Sequence, residues 1–220
     1  MTAPISPDRA RRVSRRWPLI SGGVAVLLAL GLGLMVVVRT VPGGVDVSFL
    51  GELVEHRTAF WTVPALVMNF LGGGWFGVFV VPIGIAVILL IVKKPWSAGY
   101  FVAATVVSAG LVQLLKSLFG RARPVDILIT ADFGSFPSGH VANAATMAVT
   151  LAILLQRRWV WVAGVAYVVL MLLSRTYLGA HWLSDTIGGL LLGAAVAVLL
   201  WAPLASRLQR EWSAPNAAAR

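Results

Sequence analysis

The chain contains no cysteine, which removes disulfides, thiol chemistry and Cys-ligated metals or clusters from consideration and leaves the redox compartment unread. Carboxylates are also scarce, with eight Asp and Glu against eighteen Lys and Arg. A two-metal hydrolytic site needs several carboxylates close together. Only Asp126, Asp132 and Asp185 lie near the polar stretches that interrupt the apolar sequence. Charged residues are only 12% of the chain and hydrophobic ones 59%, with a mean hydropathy of +0.87. Soluble domains carry an apolar share of about 45–50%. One core of 220 residues cannot hide that much apolar surface, so the expected fold class is all-α, a polytopic membrane protein.

The net charge of +10 is not arranged for nucleic acid. Arg9, Arg11, Arg12, Arg15 and Arg16 precede the first apolar run. Lys93 and Lys94 follow the second, Arg157 and Arg158 separate the fourth and fifth, and Arg207 and Arg210 follow the last. Basic residues at alternate ends of apolar runs are the positive-inside pattern. No soluble basic face interleaved with aromatics is present, so no nucleic-acid partner is expected.

Segments of about 20 apolar residues match a hydrocarbon core of about 30 Å. Six candidates occur, at about 18–39, 74–92, 97–117, 138–156, 159–177 and 183–203. An even number places both termini on one side, and the basic flanks make that side cytoplasmic in the cell (plasma) membrane. The loops after spans one, three and five then face outward. The first run is too long for a signal-peptide core and lacks a small-residue cleavage site, so a retained anchor is favoured over a cleaved signal or a twin-arginine signal. The expected organisation is a basic cytoplasmic tail (1–16), a six-helix membrane domain (17–206) and a cytoplasmic tail (207–220). The ends, 1–15 and about 207–220, read as disordered. Segment 43–73 mixes Glu52, Glu55, His56 and Arg57 with apolar residues, which fits an outer interfacial helix or pair of helices. Gly72-Gly73-Gly74 reads as a turn, because no Lys-Ser/Thr follows as a phosphate-cradling loop requires.

Three outward-facing places collect the polar residues that a bilayer should reject: KSLFGRARP (116–124), FPSGH (136–140) and SRTYLGAHWLSD (174–185). Ionisable residues at such depths are functional candidates. Lys116, Arg123 and Arg175 would repel one another unless a multiply charged anion neutralised them, and guanidinium groups match phosphate oxygens. Pro137-Ser138-Gly139-His140 reads as a helix start, whose free N–H groups favour an anion; Ser138 adds a hydroxyl and Gly139 close backbone approach. His181 and Asp185 are four apart, one turn on a helix face. A carboxylate that accepts one imidazole N–H leaves the other nitrogen free to attack, and His140 is available as a general acid. A nucleophile, an orienting carboxylate, an acid and a cationic cradle make up a phosphoryl-transfer site.

In this order, Lys116 with Arg123-Pro124, then Pro137-Ser138-Gly139-His140, then Ser174-Arg175 with His181 and Asp185, the motifs resemble the three-part signature of the type 2 phosphatidic acid phosphatases. That family is the membrane branch of the superfamily that includes the vanadium haloperoxidases. The motifs span 116–185, with no departure in the motif residues, and the six-span layout extends the likeness over most of the chain. The resemblance implies phosphate binding by Lys116, Arg123, Ser138, Gly139 and Arg175. It implies a phosphohistidine on His181, orientation by Asp185 and acid then base work by His140. It also implies a reaction without magnesium or another cofactor, on a lipid phosphate entering sideways from the outer leaflet.

The expected function is therefore hydrolysis of a terminal phosphate from phosphatidic acid, phosphatidylglycerol phosphate or undecaprenyl pyrophosphate. A vanadate-dependent haloperoxidase and a non-enzymatic lipid phosphate binder or transporter are the alternatives. Oligomeric state is not written in the sequence. Of the remaining polar residues, Arg121 lies outside the motifs and reads equally as a headgroup contact or a solvated side chain. His56, Arg57, Asp126 and Asp132 read as solvated loop residues, and Ser174 as a small packing residue.

Overall fold

The computed structural model describes residues 7–39 and 41–213, with side chains placed from residue 16 onward. The outermost parts of the two expected tails, 1–6 and 214–220, lie outside the described residues. Eight α-helices occur among those residues: α1 (Pro7–Val38), α2 (Gly44–Glu55), α3 (Ala59–Gly72), α4 (Val81–Ile91), α5 (Pro95–Phe119), α6 (Gly139–Leu155), α7 (Arg158–Tyr177) and α8 (Leu183–Ser213). A π-helical turn, Phe76–Val80, leads into α4, and no strand is present among the described residues.

Local chemistry explains the boundaries. Pro95 opens α5, where its missing N–H costs nothing. The helix stops at Gly120, whose φ of 51° is left-handed and whose N–H caps the Lys116 carbonyl. The break between α3 and the π-turn falls at Gly72-Gly73-Gly74. A Cβ on Gly77 would lie 2.4 Å from the Gly72 carbonyl carbon, so the chain turns here only because glycine is present. Asn143 Nδ2 donates to the Gly72 and Gly77 carbonyls (3.3 and 2.9 Å), satisfying groups that the break frees inside an apolar bundle.

Among the described residues four helices are long and apolar enough to cross a membrane: Arg16–Val38 of α1, α5, α7 and α8. A fifth crossing results if α3 and Phe76–Ile91, bent by 47°, count as one broken span. The protein is thus an all-helical, multi-pass membrane protein. Two of the six expected spans behave differently from the sequence reading. The 74–92 segment is not a free-standing rod but the second arm of the bent pair. The 138–156 segment is a helix of 17 residues, about 25 Å long, short of the hydrocarbon thickness. It is the centre of the bundle, packed by α5, α7 and α8, with Val141, Ala142, Ala144, Ala145 and Thr146 all essentially inaccessible.

Small residues let that centre close. Gly189 and Gly193 of α8 face α6, and a Cβ on either would come within 2.4 and 2.3 Å of the Ser138 and Ala142 carbonyl oxygens. This is the small-xxx-small packing that membrane helices use when lipid offers no hydrophobic drive to association. The faces turned outward are apolar, as Leu27 of α1, Ile91 of α4 and Val162 and Val165 of α7 illustrate.

At the end of the bundle that carries the short α4–α5 turn, α8 continues to Ser213, beyond the expected limit of the last span. The segment from Arg207, expected as a tail, is helical there because Glu211 docks on α5. Its carboxylate accepts from the Trp96 and Ser97 amides (2.7 and 3.0 Å) and from Ser97 Oγ, capping a helix start from a remote element. Lys94 Nζ donates to the Glu211 carbonyl at 2.7 Å and lies over the Trp212 ring.

Candidate active site

The opposite end of the bundle carries the three motif segments. Lys116 occupies the last turn of α5 and Arg175 the last turn of α7. Ser138 is the N-cap of α6, followed by Gly139 and His140 in its first turn. His181 lies in the link between α7 and α8, and Asp185 in the first turn of α8. Ser138 N–H donates to the Asp185 carbonyl at 2.9 Å, which fixes the start of α6 against the start of α8.

Lys116, Gly139, His140, Arg175 and His181 line one cavity of about 1170 Å³, together with Asn69 and Asp132. Arg123 and Ser138 do not line it, but each is next to a residue that does. Arg123 reaches His181 Nε2 at 3.4 Å, and Ser138 is fully buried. Away from the charged end, the cavity runs between α4 and α5 along Ile83, Val87, Leu90, Val102 and Val106.

His181 Nδ1 lies 2.7 Å from the Ser135 carbonyl, an acceptor only, so Nδ1 carries the proton and the Nε2 lone pair faces Arg123. The expected direct bond to Asp185 is longer, at 3.6 Å. The Asp185 carboxylate is drawn elsewhere: it accepts from Trp182 N–H at 2.9 Å and from Arg121. Asp185 therefore supports the imidazole as a nearby charge, and the Ser135 carbonyl fixes the tautomer. Burial holds the His181 pKa at about 4, with the Asp185 carboxylate opposing the fall and the Arg175 and Arg123 charges adding to it. The imidazole is neutral near pH 7.

His140 Nε2 lies 3.1 Å from the Asn69 carbonyl, so Nε2 carries its proton and Nδ1 is the other ring nitrogen. The ring packs over the helix break, where a Cβ on Gly73 would meet Nε2 at 2.0 Å. Asn69 also accepts from Arg175 Nη1 through its side chain, so one residue of α3 touches two motif residues. Arg175 Nε and Ser138 Oγ are buried and have no hydrogen-bond partner. Such atoms are costly unless something polar meets them.

Several participants were missed or misread in the sequence. Arg121 is neither a headgroup contact nor solvated. Its Nη2 pairs with Asp46 at 2.7 Å and its Nη1 with Asp185 and Ser184. Asp46, on α2, also accepts from Ser184 N–H and Oγ. Asp132 is a loop residue, as expected, yet its carboxylate lies on Lys116 Nζ (3.0 Å) and Arg123 Nη2 (2.6 Å). Burial works to raise the Asp132 pKa, but the Lys116 bond and the Lys116 and Arg123 charges outweigh it and hold it below the ordinary carboxylate value. Arg57 donates Nε to the Tyr177 carbonyl, and Ser174 Oγ to the Ala65 carbonyl, so both tie the α2–α3 segment to α7. His56 is exposed beside Glu52. Composition marked Arg121 and Asp132 only as charges in an apolar chain, and no spacing rule pairs them.

An all-helical bundle with a cationic pocket and two histidines at one end defines a class of membrane proteins, and the comparisons agree with it. Residues 97–207 match the PAP2 superfamily, and the chain belongs to that family. It is 31% identical to an undecaprenyl-diphosphatase of Sulfolobus acidocaldarius over 79% of this chain and 87% of that protein. It is 33% identical to a lipid A 1-phosphatase of Rhizobium etli over 47% of this chain, spanning 49% of that protein. In fold it is similar to the crystal structure of the transmembrane PAP2-type phosphatidylglycerolphosphate phosphatase from Bacillus subtilis. The TM-score is 0.70 at 23% identity, covering 80% of this chain and 93% of that one.

Proposed function

We infer that the chain is an integral membrane phosphatase that removes the terminal phosphate of a lipid phosphate through a phosphohistidine. The observation that carries this reading is the pair of buried, unpartnered donors, Arg175 Nε and Ser138 Oγ, in the cluster that holds the neutral His181. Donors left unsatisfied around a nucleophile suit the equatorial oxygens of a phosphoryl group in transfer. The apolar length of the cavity suits a hydrocarbon chain.

In the first step His181 Nε2 attacks phosphorus, and the bond from phosphorus to the lipid-side oxygen breaks. That oxygen takes a proton from His140 Nδ1, which acquires it when the anionic phosphate enters the cradle, while Nε2–H stays on the Asn69 carbonyl. Arg123, Arg175, Ser138 and the first-turn amides of α6 neutralise the transferred group. In the second step water gives a proton to His140 and attacks phosphorus, the phosphorus–nitrogen bond breaks, and orthophosphate leaves. Asp185 and the Ser135 carbonyl stabilise the charge that develops on His181. No step uses a metal ion.

The topology in this reading has six crossings, including the bent α3–α4 pair and the short central α6. Both termini are cytoplasmic, and α2 with the α2–α3 link covers the outer end. Phosphatidic acid, phosphatidylglycerol phosphate and undecaprenyl pyrophosphate are the candidate substrates. Phosphate release from these three, measured in detergent with EDTA present, tests the reading. Turnover of at least one is expected, and activity that vanishes with EDTA and returns with a divalent ion contradicts the metal-free mechanism.

A further inference from the structure

Lys116 and Arg123 are two of the three cations of the cradle, yet neither has a hydrogen-bond donor to spare. Lys116 Nζ gives two N–H bonds to the Asp132 carboxylate (3.0 and 3.1 Å) and one to the Gly134 carbonyl (3.1 Å). An ammonium has three donors, so all are used. Arg123 has five. Nε donates to the Asp132 carbonyl, Nη1 to the Ala180 carbonyl and His181 Nε2, and Nη2 to the Asp132 carboxylate and the Gly134 carbonyl. All five are engaged. Three of these eight bonds end on the Asp132 side chain, and the others end on groups that cannot leave without unfolding the loop or moving the nucleophile.

A phosphate that reaches Lys116 and Arg123 must therefore take the place of the Asp132 carboxylate. The side chain is suited to exchange. It is 60% exposed, whereas Lys116 is 6% exposed, and it sits on a loop between Gly120 and Ser138 without helical structure. The carboxylate can swing out into water, and an incoming phosphate takes over the pairing of the buried Lys116 and Arg123 as it leaves, so neither cation is left uncompensated. Arg175 Nε and Ser138 Oγ offer a landing point that does not involve Asp132.

Resting on the phosphatase reading above, we propose that Asp132 is a specificity-determining residue. It is an internal anion that a dianionic terminal phosphate displaces and a monoanionic phosphodiester does not. The three cations and this one carboxylate leave the cradle with two net positive charges. A phosphodiester brings one charge, so exchanging it for the carboxylate replaces one anion by another and gains no Coulomb energy while losing hydration. A terminal phosphate brings two charges and three oxygens in fork geometry, which fills the vacated donors and also meets Arg175. Every bilayer is crowded with phosphodiester headgroups, and the carboxylate keeps them from occupying the cradle.

The test measures binding rather than turnover, on full-length protein in detergent. Orthophosphate and dimethyl phosphate are titrated by phosphorus NMR against wild type, Asp132→Asn and Asp132→Ala. Wild type should bind orthophosphate, and dimethyl phosphate should not displace it. In Asp132→Asn orthophosphate should bind about tenfold tighter or more, the scale of one charge-assisted hydrogen bond, and dimethyl phosphate should begin to compete. In the lipid-phosphate assay the same variant should lower KM. Orthophosphate affinity that is unchanged or weaker in both variants overturns the proposal, because Asp132 would then only hold Lys116 and Arg123 in place. Displacement by equimolar dimethyl phosphate in wild type overturns it without any variant. If wild type binds orthophosphate with this selectivity but hydrolyses no lipid phosphate, the phosphatase reading fails while the charge filter stands.

Discussion

The two ends of the bundle each carry a polar cluster that joins elements far apart in sequence, and they differ in how completely it is satisfied. At the Glu211 end, the carboxylate meets three donors of α5, Lys94 meets the Glu211 carbonyl, and Trp212 Nε1 donates to Ser97 Oγ at 3.0 Å. Among the described residues no buried side-chain donor or acceptor is left over there, and the cluster closes a joint. At the His181 end Arg175 Nε and Ser138 Oγ have no partner, His181 lines a cavity, and the Asp132 carboxylate occupies donors that it can release. Buried polar groups left short of partners mark the place where a ligand completes the network. Both ends pair a carboxylate with a cation and a hydroxyl, and the degree of satisfaction separates function from stability.

Substitutions at the two ends should therefore act on different quantities. The largest effect is expected for His181→Ala, with kcat down about 10⁴-fold or more in steady-state phosphate release and little change in the thermal midpoint. His140→Ala should follow with a loss of about 10²- to 10⁴-fold, the contribution of a general acid–base group. Arg121→Ala crosses the divide. It strands Asp46 and Asp185, both buried, and should cost about 3–5 kcal/mol of stability by thermal or denaturant unfolding in detergent, with activity falling as well. If Arg121→Ala unfolds no more easily than wild type, the outer network is not structural.

Glu211→Gln should do the reverse of His181→Ala: a stability loss of about 1 kcal/mol, the scale of a lost cap, with kcat unchanged. A kcat effect there would break the division between the ends. A further effect at the His181 end concerns pH. The folded His181 pKa of about 4 lies below its ordinary 6.5, so the folded state prefers the neutral ring. Its contribution is complete above pH 6.5 and is lost as pH falls from there toward 4. Between these values the thermal midpoint of wild type should drop more than that of His181→Asn, whose side chain does not titrate.

Much of the His181 end was legible in the sequence, and little of what supports it was. Lys116, His140, Arg175 and His181 were singled out as charges in apolar surroundings, and they line one cavity. The spans at 97–117 and 159–177 match α5 and α7 within two residues, because long apolar runs bounded by Pro95, Gly120 and Arg157-Arg158 leave little latitude. The supports come from across the chain. Asp46 meets Ser184 over 138 residues and Asn69 meets Arg175 over 106, and no local period encodes such pairs. Segment 43–73 resisted interpretation for that reason: its role is set by what α2 and α3 touch. The 138–156 segment read as a span, and its short helix α6 is in addition the centre of the bundle, with small residues and buried threonines as its packing surface.

Rapid quenching of wild-type protein with a lipid phosphate labelled on its terminal phosphorus tests the central claim most directly. The account predicts a phosphoenzyme that is stable in base and labile in acid, with the label on the peptide that contains His181 and no label in His181→Ala. Hydrolysis at the wild-type rate in His181→Ala, or turnover with label on a different residue, would contradict it.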